Sequence, residues 1–292
     1  MRLSIIVPVL NQFPLVRATY KQMREVTNTL EHDVEFVMLD NGSDEPLSEL
    51  DCPGAIIIRN KISNGVYPTF KQGMEVTTGD VVAFFHSDLV LWEQDWNVRL
   101  MDFFNHVNIR FGLIGFVGSN ELDSLGGRGL GTTSNFQGNT LVGVGELGEE
   151  KRWSGSAAHI HGKVGCGLTN AAIVDGCAMI ILREAWDAIG YREDFPPHHF
   201  YDRLIACQML EAGYQVGVLG IECDHISGQT VNQEKKYQRM SYEWLHTIIP
   251  TFPVMDAEFD PNHNYDEDIY KLAESMFLNE YRDAKHLIPK TI

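Results

Sequence analysis

The stretch that decides the fold is Gly79-Asp80-Val81-Val82-Ala83-Phe84-Phe85-His86-Ser87-Asp88. The five consecutive apolar residues 81–85 are typical of a strand that is buried on both faces. The strand ends abruptly in three polar residues, and the last of them carries a carboxylate. In open α/β sheets, ligands bind just beyond the carboxyl ends of such strands. Asp88 is therefore expected at the mouth of a cleft, where a carboxylate suits a divalent metal bound together with a diphosphate.

Strands and helices alternate on both sides of this stretch. We predict strands over residues 3–9, 34–39, 55–59 and 81–85, with helices over 15–30 and 66–76 between them. This alternation indicates βαβ units, in which a mainly parallel sheet carries helices on both faces. The first hundred residues are thus predicted to be α/β.

The second half of the chain has a different texture. A helix over 96–107 and a strand over 111–117 are followed by residues 118–167, which are rich in Gly, Ser, Thr and Asn. That composition predicts loops with short strands over the face of the sheet. Regular structure is predicted again over 171–182, 184–189, 200–212, 215–219, 221–223 and 234–246, before an extension that ends in one or two short helices.

Composition limits the classes of function. The 292 residues are 44% hydrophobic, and 40 acidic residues against 23 basic ones give a formal net charge of −17. That charge disfavours nucleic acid and anionic membranes as partners. Five scattered cysteines with no CxxC pair favour a reducing cytoplasm. No window of about 18 apolar residues predicts a transmembrane segment. The composition says nothing about the oligomeric state.

Three predicted strands of the first half end in polar residues: Asn11, Asp40 and Asp88. The carboxyl ends of parallel strands share one edge of a sheet, so these side chains are expected to converge although they are far apart in sequence. Each also has a simpler interpretation, as a helix cap for Asn11 and Asp88 or as the start of a turn for Asp40.

The order of these segments resembles that of a known family. Residues 4–11 (SIIVPVLN), 40–44 (DNGSD), 64–67 (NGVY) and 85–88 (FHSD) are similar to the motifs of family 2 glycosyltransferases, which have the GT-A fold. Later segments are similar to the acceptor-side half of that family: 174–179 (VDGCAM), 190–195 (GYREDF), 201–202 (YD), 211–214 (EAGY) and 225–228 (HISG). The resemblance implies a GT-A domain over 1–228, with a nucleotide-binding half (1–117) and an acceptor-side half (118–228), followed by a helical extension (229–292).

The resemblance also implies a donor site. In it, the turn at Pro8, Val9 and Asn11 holds a nucleotide-sugar together with Asp40, whose carboxylate accepts a hydrogen bond from the base. The remaining residues assigned to nucleotide-sugar binding are Asn64, Gly65, Lys71, His86 and Ser87.

A metal site follows from the same resemblance. Residues 86–88 occupy the place of the family's Asp-x-Asp motif, but His86 stands where the first aspartate is usual. Asp88 is left as the carboxylate ligand of Mn²⁺ or Mg²⁺, and the late histidine, His225, supplies one further ligand. An imidazole ligand suits Mn²⁺ better than Mg²⁺. Whether His86 also contacts the metal stays open.

The acceptor side is expected to hold the general base. Asp202 lies near the start of a predicted helix, where the helix dipole stabilises a carboxylate, so an ordinary first-turn aspartate is the simpler interpretation. The resemblance implies that Asp202 deprotonates an acceptor hydroxyl in an inverting displacement, although Tyr201 stands where a first acid is common. The residues expected around the sugar and acceptor are Trp153, Asp175, Gly176 and His199.

The leading hypothesis is therefore an inverting, metal-dependent glycosyltransferase that uses a UDP-sugar and a saccharide or other glycoconjugate acceptor. The altered Asp-x-Asp motif and the missing acidic pair leave a non-catalytic nucleotide-sugar binding protein as the alternative. A nucleotidyltransferase that makes nucleotide-sugars is disfavoured, because no glycine-rich loop with Arg and Lys follows the first strand.

Overall fold

The computed structural model describes residues 1–105, 110–122, 126, 132–134, 141–144, 150–153, 163–164, 167–225, 235–253, 259–282 and 284. In chain order, the strands are β1 (Leu3–Val9), β2 (Val34–Asp40), β3 (Ile56–Arg59), β4 (Val81–Phe85), β5 (Leu89–Leu91), β6 (Phe111–Gly115), β7 (Val117–Ser119), β8 (Thr132–Ser134), β9 (Leu141–Val144), β10 (Glu150–Trp153), β11 (Lys163–Val164), β12 (Leu168–Ala171), β13 (Ile173–Val174), β14 (Ala178–Leu182), β15 (Gln215–Leu219) and β16 (Cys223–His225). The helices are α1 (Phe13–Val26), α2 (Tyr67–Val76), α3 (Trp96–Phe104), α4 (Arg183–Ile189), α5 (Tyr201–Glu211), α6 (Lys235–Ile248) and α7 (Tyr265–Tyr281).

A large central sheet organises the molecule, with its strands in the order β12-β15-β6-β14-β4-β1-β2-β3. The half formed by β4, β1, β2 and β3 is parallel throughout. In the other half β14 runs antiparallel between β4 and β6, while β15 is parallel to β6 and antiparallel to β12. The prediction of an α/β fold with a central sheet is confirmed, and all five residues of β4 are buried.

The register of the parallel strands aligns their carboxyl ends. Val9 pairs with Asp40, which in turn pairs with Arg59, and Ile6 pairs with Phe84. The polar residues that follow β1, β2 and β4 therefore leave the sheet along one edge.

Helix α1 ends at Val26, four residues before its predicted end. The side chain of Thr27 turns back onto the helix, and its hydroxyl donates to the carbonyl of Met23 at 2.6 Å. Asn28 then forms two hydrogen bonds of 2.8 Å with Asn97, which lies on α3. These contacts with a distant helix draw the chain out of the helical path, and a local periodicity cannot anticipate them.

The predicted strand over 221–223 lies two residues later, as β16. It pairs antiparallel with β5, a strand that the sequence pattern did not indicate, and His225 lies opposite Leu89. Three-residue strands leave too short a pattern to detect, and this pairing joins segments more than a hundred residues apart. This strand pairing places His225 beside Asp88.

The predicted stretch 171–182 is divided by a turn. β13 pairs with β7 in a smaller sheet, whereas β14 enters the central sheet. Between them, the amide of Asp175 donates to the carbonyl of Val117 at 2.8 Å, and the carbonyl of Cys177 accepts from the amide of His86 at 3.0 Å. The turn over residues 175–177 is thereby fixed at the end of β4.

The C-terminal segment contributes α6 and α7, which pack on each other through Tyr242, Leu245, Tyr265 and Ile269. α7 also packs on α5, where the hydroxyl of Tyr281 donates to Glu211 at 2.9 Å. In the described part of the chain, none of the helices combines the length and the apolar character needed to span a membrane.

Candidate active site

Two histidines and an aspartate meet at the carboxyl edge of the sheet. His86 and Asp88 lie in the turn between β4 and β5, and His225 ends β16 on the neighbouring strand. Nε2 of His225 is 3.2 Å from Oδ1 of Asp88, and Nδ1 of His86 is 3.9 Å from the same oxygen. The structure therefore brings together the two predicted metal ligands and adds His86 to them.

The electrostatics of this cluster favour an ionised Asp88 carboxylate beside a neutral His86 imidazole. Burial by itself raises the pKa of Asp88, but the charge and hydrogen bond of His225 and the charge of His86 outweigh it, so the pKa lies below its usual value. Burial lowers the pKa of His86 to about 4, against the opposing charge of Asp88. Metal ligands must be deprotonated, and at neutral pH Asp88 and His86 already are.

The donor set fits a divalent cation. One potential ligand atom from each of His86, Asp88 and His225 lies within 4.8 Å of the other two, and a second such group, Asp175, Cys177 and His225, shares one histidine with it. Carboxylate oxygens suit Mg²⁺ and Mn²⁺, while imidazoles favour transition metals. These residues present both kinds of ligand at one point.

A cleft opens beside this cluster. Its walls include residues that follow β1 and β4, so these strand ends border one cleft, and they also include Asn41, Ser63, Val66 and His198. Of the residues assigned to the nucleotide-sugar, the cleft is lined by Pro8, Val9, His86 and Ser87.

Asn11 lies between Leu10 and Gln12, which line the cleft. It adopts a left-handed backbone conformation with φ of 57°. Its amide donates to the hydroxyl of Ser43 at 2.8 Å, and its side-chain oxygen accepts from the amide of Asp44 at 3.0 Å. Asn11 therefore ties the turn after β1 to the loop after β2.

Asp40 does not face the cleft, in contrast to the expectation that it accepts a hydrogen bond from the base. Its side chain is fully buried. One carboxylate oxygen accepts from the amide of Ser43 at 2.9 Å, and the other accepts from the amide of Leu47 at 3.0 Å and from Arg59 at 3.2 Å. Asp40 thus braces the loop that borders the cleft from behind.

Asn64 and Gly65 lie in the loop before α2. Gly65 has φ of +87°, and a Cβ on it would lie 2.4 Å from Cβ of Pro197, so only glycine fits there. Its carbonyl accepts from the side-chain amide of Asn41 at 2.9 Å. The loop is thereby held between Asn41 and Pro197, with Ser63 in the wall of the cleft.

Lys71 lies outside the cleft. Its ammonium pairs with Glu193 and sits 5.6 Å from the ring centroid of Tyr191, with almost half of the side chain exposed. In place of the expected proximity to the nucleotide, the structure shows an ion pair at the surface.

The base candidate, Asp202, occupies the first turn of α5. Its Oδ2 accepts from the amide of Gly176 at 3.2 Å, and its Oδ1 accepts from the amide of Arg203 at 2.9 Å. The start of a helix stabilises an ionised carboxylate. Asp202 is therefore held against the 175–177 turn that borders the histidine cluster.

The other residues expected near the acceptor divide into three cases. Asp175 shapes the turn, since its Oδ1 accepts from the amide of Cys177 at 2.9 Å. His199 has φ of 62° and contacts Oδ1 of Asp266 on α7 at 2.8 Å, so it anchors the C-terminal segment. Trp153 ends β10, and its side chain lies outside the described part of the molecule.

No pattern in the sequence indicates that α6 reaches the cleft. Lys236 pairs with Asp44 at 3.1 Å on one side, and the hydroxyl of Ser241 lies 3.1 Å from Nε2 of His198 on the other. His198 lines the cleft, and its ring is buried, which lowers its pKa to about 4. The sequence of this region has the pattern of an amphipathic helix, and that pattern does not indicate which surface the helix covers.

Comparisons with known proteins identify a family and a fold. A family model described as a glycosyltransferase-like family matches residues 55–247, whereas no curated protein sequence matches the chain. Two solved structures bound to Mn²⁺ are similar over nearly the whole chain. Mannosyltransferase PcManGT from Pyrobaculum calidifontis, in complex with GDP-Man and Mn²⁺, is 13% identical with a TM-score of 0.50, covering 96% of this chain and 70% of its own.

The second structure is GalNAc-T7 with UDP, GalNAc and Mn²⁺. It is 12% identical with a TM-score of 0.53, and the match covers 99% of this chain but 58% of that protein. At such low identities the likeness shows the fold alone, which is that of GT-A glycosyltransferases.

Proposed function

Because the chain belongs to a glycosyltransferase-like family, we propose that it is an inverting enzyme of the family 2 type that moves a sugar from a UDP-sugar to an acceptor hydroxyl. The observation that carries this proposal is the cluster of His86, Asp88 and His225 beside a cleft at the carboxyl edge of the sheet. A nucleotide-sugar has the two features that such an edge accommodates: a diphosphate that binds with a metal, and a base that lies along the strand ends.

Asp88 and His225 would hold the metal, with Mn²⁺ preferred because an imidazole is among the ligands. A bound divalent cation neutralises the negative charge that builds on the departing nucleoside diphosphate. The buried carboxylate of Asp88 serves this purpose well, since its pKa lies below the usual value.

The donor would occupy the cleft along the turn at Pro8 and Val9 and beside Ser87. The loop after β2 forms the neighbouring wall at Asn41, and Asp40 holds that loop from inside the protein. In this account Asp40 contributes to donor binding through the loop that it braces, without touching the base.

Asp202 would take the proton of the acceptor hydroxyl as that oxygen attacks the anomeric carbon from the face opposite the leaving diphosphate. The amides of Gly176 and Arg203 donate to its two oxygens and fix the orientation of the carboxylate. General-base catalysis typically contributes about 10²–10⁴-fold to the rate. One displacement of this kind inverts the anomeric configuration.

The acceptor is proposed to be a saccharide or another glycoconjugate, and the protein is proposed to act in the cytoplasm. The formal net charge of −17 disfavours a nucleic-acid acceptor. The two similar structures hold a GDP-sugar in one case and UDP in the other, so the base has to be tested directly.

A panel of UDP-, GDP- and other nucleotide-sugars, tested by thermal shift with and without Mn²⁺, examines the donor. We expect a UDP-sugar to raise the melting temperature only when Mn²⁺ is present, because diphosphate and metal bind together. Stabilisation by GDP-sugars and not by UDP-sugars would contradict the UDP assignment. Tight UDP binding without any hydrolysis or transfer would instead favour a non-catalytic nucleotide-sugar binding protein.

A further inference from the structure

The two positions at which this chain departs from the motifs it resembles are in contact with each other. His86 stands in place of the first aspartate of the Asp-x-Asp motif, and Tyr201 stands in place of a common first acid before the base. In the fold, Nε2 of His86 lies 3.2 Å from the hydroxyl of Tyr201. Two residues that are 115 positions apart in the sequence therefore form one hydrogen-bonded pair.

The two nitrogens of His86 face different surroundings. Nε2 faces the Tyr201 hydroxyl, whereas Nδ1 faces Oδ1 of Asp88 at 3.9 Å and belongs to the group whose ligand atoms lie close together. In a neutral imidazole one nitrogen carries the proton and the other offers a lone pair, and a hydrogen bond at one nitrogen selects which.

Tyr201 is itself held rigidly. Its ring stacks on Tyr67 at a centroid distance of 6.0 Å and an interplanar angle of 15°, and it packs on Phe70 at 5.4 Å. On the other side, a Cβ on Gly176 would lie 2.3 Å from the Tyr201 hydroxyl, so the turn over 175–177 packs closely against that oxygen. The hydroxyl is therefore a fixed point against which His86 is oriented.

We propose that Tyr201 is a positioning residue: it accepts a hydrogen bond from Nε2–H of His86 and so presents the Nδ1 lone pair as a third protein ligand to the metal. This inference rests on the proposed function, because the metal is the one that serves transfer. Histidines that bind metals usually donate their other ring N–H to such a partner, and removal of the partner typically weakens metal binding about 10–100-fold.

The test is Mn²⁺ binding by the full-length protein, measured by electron paramagnetic resonance with Mn²⁺ alone as the probe. Tyr201→Phe removes the hydroxyl and keeps the stacked ring, and we expect it to weaken Mn²⁺ binding by about 10-fold or more. Tyr67→Phe is the matched control. It removes a buried hydroxyl from the same stack, one that accepts from the amide of Arg192 at 3.1 Å, and it should leave Mn²⁺ binding unchanged.

A second readout separates orientation from general destabilisation. In the metal-free protein, ¹⁵N chemical shifts of the His86 ring should report the Nε2–H tautomer in the wild type and a loss of that preference in Tyr201→Phe. In a His86→Ala background, Tyr201→Phe should weaken Mn²⁺ binding no further, because the residue through which it acts is gone.

The outcomes distinguish this inference from the proposed function. Wild-type affinity for Mn²⁺ in Tyr201→Phe, or equal losses in Tyr201→Phe and Tyr67→Phe, would overturn the role of Tyr201 and leave the metal site intact. Failure of the wild type to bind Mn²⁺, or unchanged binding by Asp88→Asn, would overturn the metal site itself and the inference with it.

Discussion

Asp40 and Asp88 lie at the same edge of the sheet, but their surroundings differ. Asp40 is the last residue of the parallel strand β2, Asp88 lies in the turn after the parallel strand β4, and each side chain is at most 7% exposed. Asp40 is surrounded by donors that belong to its own loop and to the adjacent strand. Asp88 is surrounded by His86 and His225, and the second of these arrives from a segment more than a hundred residues away.

The two carboxylates differ in the chemical groups that surround them. Backbone amides and an arginine keep their protons at neutral pH, so the donors around Asp40 are permanent and the carboxylate fixes a loop. Imidazoles give up their protons readily and can turn a lone pair toward a cation, so the surroundings of Asp88 can admit one. The function of a buried aspartate at a strand end is therefore inferred from the groups around it, since its position alone does not assign one.

The largest effect in this comparison is expected for Asp88→Asn. The amide keeps the size of the side chain and removes the charge that would hold the metal, which contributes several kcal/mol to charge stabilisation in the transition state. We expect transfer to fall by about 10³-fold, measured as kcat with saturating donor and Mn²⁺. Circular dichroism should show a folded protein, and near wild-type turnover would contradict the assignment of Asp88.

Asp202→Asn extends the comparison to a third carboxylate, at the start of a helix. The variant cannot accept the acceptor's proton, and we expect kcat to fall by at least about 10²-fold. Mn²⁺ binding should be unchanged, because Asp202 is not in the group of potential ligands. A parallel loss of Mn²⁺ affinity would show that Asp202 acts on the metal site instead.

Asp40→Asn should affect stability and leave the chemistry largely intact. One oxygen that accepts from Leu47 and Arg59 becomes an amide with the wrong polarity, and hydrogen bonds to charged groups are typically worth about 1.5–3 kcal/mol. We expect the free energy of unfolding in urea to fall by about 2 kcal/mol. Loss of Mn²⁺ binding in the folded fraction would erase the distinction between Asp40 and Asp88.

The smallest effect is expected for Lys71→Ala. Lys71 pairs with Glu193 at the surface, and exposed ion pairs are worth little. The KM for the donor should change by less than about two-fold, because surface substitutions rarely exceed 0.5 kcal/mol. A ten-fold rise in KM would restore Lys71 to the nucleotide site that the sequence motifs implied.

The sequence was informative about the residues at strand ends. An apolar run that stops at polar residues predicts where Asp88 lies, and the order of motifs implies that His225 and Asp202 lie near it. It was insufficient where function depends on pairing between short segments: three-residue strands bring His225 to Asp88, and no periodicity marks them. The sequence pattern also does not indicate that loop amides surround Asp40, because every carboxylate that precedes a turn has the same pattern.

The approach of α6 to the cleft shows a further limit. Contacts such as Ser241 with His198 join an extension to the domain, and nothing in the composition of either segment specifies the other. The pairing of His86 with Tyr201 has the same character, since each residue alone looks like a weakened motif and only their proximity suggests a shared purpose.

The most direct test of the central claim measures release of nucleoside diphosphate from UDP-sugars, with and without Mn²⁺, by the wild type, Asp88→Asn and Asp40→Asn. We predict Mn²⁺-dependent release by the wild type, most of that rate in folded Asp40→Asn, and a rate about 10³-fold lower in Asp88→Asn. Equal release by Asp88→Asn and the wild type would contradict a metal-dependent glycosyltransferase site built on Asp88.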